Sequence, residues 1–298
     1  MSKSSTASAP ADFLQRMADS SRQRLAAARA DCADTEMRRR AELQAPPIAL
    51  RLSDQGFDLI AEVKLRSPSA GSLAAANYSP VGQARLYANA GAAAISVLTE
   101  PAQFSGELEH LEQVTSELTT VPAMRKDFLV SPYQIFEARA AGAGGVLLIA
   151  AILEADELRD MLQTALELGM FVLVEAYDTA DLDRCLPLIL QSGPAVSTGQ
   201  ESVDGCGDSR GRILVGVNCR NLRSLQVEFQ RFERLADQLP DTVPWVAESG
   251  VTTPEQASEV AALGYRMALV GTALMQAGDP AAAAMAMLTA GRTITRNA

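Results

Sequence analysis

Three times along this chain a hydroxyl residue and a proline open a helical pattern, a glycine closes it, and a continuous apolar run follows. Ser79-Pro80 leads to Gly91 and the run 92–98, Ser131-Pro132 to Gly142 and 146–151, and Thr253-Pro254 to Gly264 and 267–270. A hydroxyl N-cap, proline in the first turn and glycine past the last turn mark where a helix starts and stops. Each unit is therefore a helix feeding a buried strand. Asp279-Pro280 opens one more helix, and Leu168-Gly169 closes another.

Eight apolar runs have strand length: 59–65, 93–98, 121–125, 145–149, 170–175, 213–218, 243–248 and 267–271. They are apolar throughout rather than alternating, as in a parallel sheet covered on both faces. Helical patterns fill most intervals, so the rhythm is strand–helix repeated eight times. Count and length predict an α/β fold, a closed (βα)8 TIM barrel, with an open doubly wound sheet as the alternative. The 298 residues read as a single barrel domain with two additions. Residues 11–44 predict one or two extra helices before the first strand, and the Gly- and Ser-rich stretch 191–211 predicts a flexible insertion.

Composition narrows the chemistry. The net charge of −10 argues against a nucleic-acid partner, because phosphate contacts demand clustered Lys and Arg. No apolar run reaches membrane-spanning length, and the N-terminus lacks the apolar centre of a signal peptide, so a cytoplasmic protein with no membrane partner is expected. The four cysteines show no paired spacing, which suits a reducing compartment. The one histidine, His110, lies in Glu107-Leu108-Glu109-His110-Leu111 and reads as helix surface. A histidine triad or His-rich metal site is not expected; the metal and cofactor expectation is none.

The apolar runs end in polar residues, which is how a parallel barrel assembles one site from many strands. Glu62 and Lys64 are two apart and leave the same face of the first strand; the plain alternative is an ion pair closing the barrel's end. Arg125 and Lys126 end the third strand, where alternation sends one inward and one outward, and the sequence does not choose. Glu175 ends the fifth strand as a candidate general base. Asn218 and Arg220 follow the sixth, and arginine's planar fork suits a carboxylate or phosphate, though Arg220 equally reads as a loop cap. Ser249-Gly250 after the seventh strand and Gly271-Thr272 after the eighth stand where barrels expose backbone N–H groups to phosphate.

Together these segments resemble indole-3-glycerol phosphate synthases. The resemblance rests on Ile60-Ala61-Glu62-Val63-Lys64 with Ser67-Pro68-Ser69, on Ser96-Val97-Leu98-Thr99-Glu100 with Phe104 and Gly106, and on Arg125-Lys126-Asp127-Phe128 through Arg139. It continues through Leu173-Val174-Glu175, Gly216-Val217-Asn218-Cys219-Arg220-Asn221-Leu222, Glu248-Ser249-Gly250 and Leu269-Val270-Gly271-Thr272. It implies a carboxy-lyase of tryptophan biosynthesis that closes the pyrrole ring of 1-(2-carboxyphenylamino)-1-deoxyribulose 5-phosphate, with loss of carbon dioxide and water and with no cofactor. It also implies roles. Lys126 is the general acid at the ketone oxygen, Lys64 with Glu62 assists the later dehydration, and Glu175 is the base-side partner. Asn218 joins this catalytic set.

Ser67, Phe104, Phe128, Arg220, Leu222, Glu248, Ser249, Gly250, Leu269, Gly271 and Thr272 are implied to bind substrate, with Arg220 and Asn218 facing the anthranilate end. The expected partner is a small anionic molecule carrying carboxylate and phosphate, and the expected assembly is a monomer or weak homodimer. Tyr177, Cys219, Asn221, Leu65 and Ala70 depart from the family's usual pattern. The competing readings are a lysine Schiff-base aldolase on the same barrel and a non-catalytic paralogue that binds a phosphorylated ligand.

Overall fold

The computed structural model describes residues 13–68, 71–73, 78–192, 213–221 and 226–293. Eight parallel strands close into a barrel: β1 (Asp58–Val63), β2 (Ala94–Leu98), β3 (Ala123–Lys126), β4 (Gly145–Ile149), β5 (Phe171–Ala176), β6 (Ile213–Asn218), β7 (Trp245–Glu248) and β8 (Met267–Val270). Each pairs with its neighbours in sequence, and β1 closes the ring against β8 through Asp58↔Met267 to Ala61↔Val270. All eight expected runs are strands, so the closed barrel holds and the open sheet does not. The first run ends sooner than expected, because β1 stops at Val63 and a short hairpin, Arg66–Ser67 with Gly71–Ser72, follows it.

The repeated helix starts behave as their chemistry demands. Ser79 Oγ accepts from Gly82 N at 3.1 Å, and Thr253 Oγ1 accepts from Gln256 N at 3.3 Å, each with proline in the first turn. The stop glycines Gly91 and Gly264 take φ of 94° and 98°, a left-handed turn that costs glycine little.

Alternation within each strand divides the core in two. Outward side chains such as Leu59, Val97, Val172 and Val215 pack under the helices. Inward side chains, including Ile60, Met124, Leu147, Phe171, Leu214 and Val246, fill the barrel. At the amino end of the barrel the buried carboxylate of Asp58 meets Arg266 and Arg292, each at 3.0 Å, an arrangement that secures the floor. The carboxyl end is different: there the inward positions turn polar.

Two helices precede the barrel, α1 (Phe13–Asp31) and α2 (Asp34–Leu43), as the sequence predicts. Phe13, Leu14 and Met17 of α1 join the inner core, so this helix lies over the carboxyl end of the barrel rather than apart from it. Most of the predicted insertion, from 193 onward, lies outside the described residues; residues 191 and 192 complete the helix Thr179–Ser192.

Candidate active site

A cavity of about 400 Å³ opens at the carboxyl end of the strands, within the range of small-molecule sites. Its wall is built from strand ends. β1 supplies Glu62 and, just past its end, Lys64; β3 supplies Lys126, β5 Glu175, β6 Asn218 and β7 Glu248. Strand pairing places these groups side by side: Glu175 is in register with Gly216, and Asn218 with Glu248.

Lys126 points inward to the cavity, while Arg125 points outward and is buried against Glu137 Oε2 at 2.6 Å and Gln134 O at 3.2 Å. Beside it, Asp127 accepts from Arg24, Thr99 and Arg125 and caps the Phe128 amide at 2.8 Å. Burial pushes the Asp127 carboxyl up, but these donors more than reverse it and hold it at about 2.

The charges in the cavity are strongly coupled. Lys64 Nζ bonds Glu62 Oε2 directly, and Lys126 Nζ stands 3.9 Å from Glu175 Oε2. Burial alone would raise the Glu62 carboxyl, yet Lys64, Lys126 and Arg220 leave it below its ordinary value. Burial alone would depress the Lys126 ammonium, but Glu175, Glu248, Glu62 and Asp127 outweigh it and hold the group above its ordinary value. Lys126 therefore carries its proton at neutral pH, as a general acid must. Glu248 is the exception. Burial and the neighbouring Glu175 raise its carboxyl well above the usual range.

Two glycines make room for this charge. A Cβ on Gly216 would stand 1.9 Å from Glu248 Oε1, and one on Gly271 would stand 2.1 Å from Glu62 Oε2 and 2.8 Å from Lys64 Nζ. Neither position tolerates a side chain with the carboxylates where they are.

Across the mouth, Ser249 and Gly250 take consecutive left-handed conformations, φ 64° and 71°, a conformation that is uncommon for serine. Ser67, Gly271 and Thr272, the first residue of the helix Thr272–Gln276, line the same side. Arg220 N donates to Asn218 Oδ1 at 2.9 Å, so the asparagine shapes the loop that carries the arginine. The apolar wall combines Phe104, Phe128 and Leu269 with Phe13 of α1; the Phe104 and Phe128 ring centroids are 6.4 Å apart, and those of Phe13 and Phe128 are 6.1 Å apart.

Every sequence-predicted site residue among those described lines this cavity; Leu222 and Ala70 lie outside the described residues. His110 sits outside the cavity on the helix Leu108–Glu117, half-buried instead of on the open surface. Sequence reasoning did not find Phe13, Leu147 or Ile149 as cavity wall, nor the clearance at Gly216. A glycine inside an apolar strand is itself a sign of close approach, so Gly216 was there to be read.

The sequence model for "Indole-3-glycerol phosphate synthase" matches residues 14–191 and 209–287. The chain belongs to the indole-3-glycerol phosphate synthase family. It is 45% identical over 232 residues to an indole-3-glycerol phosphate synthase of Nocardioides sp., covering 78% of this chain and 80% of that one. A Mycobacterium ulcerans protein of the same name is 39% identical over 284 residues, covering 95% and 96%. Among solved structures, 3-hexulose-6-phosphate synthase from Salmonella typhimurium overlays with a TM-score of 0.56 at 12% identity, covering 79% of this chain and 99% of that one. That likeness shows the barrel fold alone.

Proposed function

We propose that the protein is an indole-3-glycerol phosphate synthase, closing the pyrrole ring of 1-(2-carboxyphenylamino)-1-deoxyribulose 5-phosphate with loss of carbon dioxide and water. Beyond family membership, one observation carries this reading: two lysines, an arginine and three glutamates from five strand ends face a single cavity. A substrate with a carboxylate and a phosphate requires local positive charge, and Lys64, Lys126 and Arg220 supply it within a chain of net charge −10.

In this reading the phosphate lies against Ser249-Gly250 and Gly271-Thr272, and the anthranilate ring against Phe104, Phe128 and Leu269. Arg220 and Asn218 face its carboxylate, and Ser67 completes the rim. Lys126 protonates the ketone oxygen as the ring carbon attacks. Carbon dioxide then leaves, restoring the aromatic ring. Lys64, held by Glu62, assists departure of the hydroxyl as water, while Glu175 serves as the base. Low-dielectric walls strengthen each of these interactions.

The enzyme is read as a cytoplasmic monomer or weak homodimer acting on a small molecule. Among the described residues no helix is long and apolar enough to cross a membrane. The decisive experiment follows indole fluorescence from the synthetic ketose phosphate. Product formation supports the synthase. Borohydride trapping of substrate on Lys64 or Lys126 without indole would establish the aldolase, and binding without turnover the idle paralogue.

A further inference from the structure

Glu248 is the least accommodated charge-bearing group in the cavity. Its side chain leaves β7 and is 1% exposed, and among the described residues no N–H or O–H donor reaches either carboxyl oxygen. A buried carboxylate without donors is costly. The clearance at Gly216 is what lets Oε1 sit there, and Gly216 is in register with Glu175 on the next strand. The Glu248 carboxyl thus lies against the residue paired with Glu175, and after burial Glu175 is the neighbour that most raises it. Two neighbouring carboxyls are both acceptors when ionised, so a buried pair without other donors is relieved by a proton held between them.

The other groups that face Glu248 are Glu62 and Lys64 from β1, Lys126 from β3, and Asn218 and Arg220 from β6. Lys126 approaches the pair as a cation, its Nζ 3.9 Å from Glu175 Oε2. The three groups form one cluster, for the charges of Lys126 and Glu248 act on each other as well.

We infer that Glu175 and Glu248 share one proton, and that this pair recharges Lys126 during the cycle. The inference rests on the reading of Lys126 as the acid at the ketone oxygen. When the Lys126 ammonium gives its proton to that oxygen it becomes an amine. The one proton of the pair then passes through Glu175 to Lys126, leaving two carboxylates beside a renewed ammonium. The carbon-bound proton removed during dehydration returns to Glu175, and the pair again holds one. Two protons are delivered in the cycle, one by Lys126 to the ketone oxygen and one by Lys64 to the departing hydroxyl. The carbon-bound proton resets the pair, and solvent recharges Lys64, because loss of carbon dioxide from a carboxylate consumes one proton overall.

The test has two arms. In the unliganded enzyme, infrared difference spectra of wild type against Glu248→Gln at pH 7 should show one protonated-carboxyl stretch in wild type, shifted in D2O and absent from the variant. In wild type alone, the band should vanish in a single step as pH is raised. Its absence from wild type at pH 7 overturns the shared proton, whatever the activity. In the second arm, Glu248→Gln keeps a donor toward Glu175 but has no proton to pass on. Because carbon dioxide release precedes recharging, kcat should fall by ~10² while kcat/KM changes by less than about threefold. Equal losses in both parameters, or none in either, overturn the relay. Wild-type turnover of the ketose phosphate tests the synthase reading separately, so failure of the one is distinguishable from failure of the other.

Discussion

Arg24 donates from both terminal nitrogens to Asp127, at 2.8 and 2.7 Å, joining α1 to the end of β3 across 103 positions of sequence. Asp127 adjoins Lys126, so the bond that seats the N-terminal helix also steadies the strand end that presents the lysine. Ser21 Oγ accepts from Gln134, and Tyr133 donates to the carbonyls of Ala28 and Cys32, extending the same seam. Asp127→Asn should therefore loosen α1 and lower stability by about 2 kcal/mol at neutral pH, the worth of a buried carboxyl held at about 2 against an ordinary value near 3.8. That advantage is present above the unfolded carboxyl range and disappears as pH falls toward 2. Urea unfolding of both proteins at pH 7 and pH 3 measures it; an unchanged difference between the two pH values refutes the assignment.

Gly216→Ala places a methyl where Glu248 Oε1 now sits, 1.9 Å from the new carbon. The carboxyl has to leave its position beside Glu175, and displacement of a reacting group by about 1 Å costs on the order of 10² in rate. The expected variant folds, with stability lowered by about 1–3 kcal/mol, and turns over about a hundredfold more slowly. Thermal melting with steady-state indole fluorescence separates the two effects. Full activity would mean that Glu248 has room elsewhere.

The barrel was legible in this chain because both of its signals are local. Apolar runs are set by burial on two faces, and hydroxyl-proline starts such as Ser131-Pro132 are set by capping within one turn. The site residues at strand ends were legible for a related reason, since a charge such as Glu62 in an apolar run demands explanation. Orientation at Arg125-Lys126 was not, because alternation gives two equivalent phases and only tertiary packing against Glu137 selects one. Nor was the seating of α1. Phe13 reaches the cavity and Arg24 reaches Asp127 through contacts more than 100 residues apart, which no periodicity encodes.

Lys126→Ala should lower kcat by ~10² or more, as expected for loss of a positioned acid. Its raised ammonium value adds a second expectation, with a definite sign. A group held above its ordinary value stays protonated to higher pH, so the acid should remain competent through pH 9. Wild-type rate profiles measured to pH 10 check this, and a loss of rate centred near pH 7 to 8 that Lys126→Arg abolishes would contradict it.

Arg220→Lys keeps the charge but loses the planar fork. If the arginine receives the substrate carboxylate through two parallel bonds, KM should rise by about tenfold or more, with kcat less affected. The Asn218 bond to the Arg220 amide is made by the backbone and survives the change. Steady-state kinetics on the ketose phosphate, alongside an analogue lacking the ring carboxylate, decides the point. Equal KM increases for both compounds would place the arginine elsewhere on the substrate.

Glu248 should set part of the pH response of folding. Burial, then Glu175, hold its carboxyl well above the ordinary value, so the native protein retains a proton that the unfolded chain gives up above about pH 4. Where the native state binds more protons, stability falls as pH rises. The contribution is complete below the unfolded carboxyl range and is lost as pH climbs through the folded value. Glu248→Gln carries no such proton, so the variant should gain on wild type between pH 4 and pH 8. Urea midpoints for both proteins across that range measure the trend, and a difference that stays flat would show that Glu248 folds as a carboxylate.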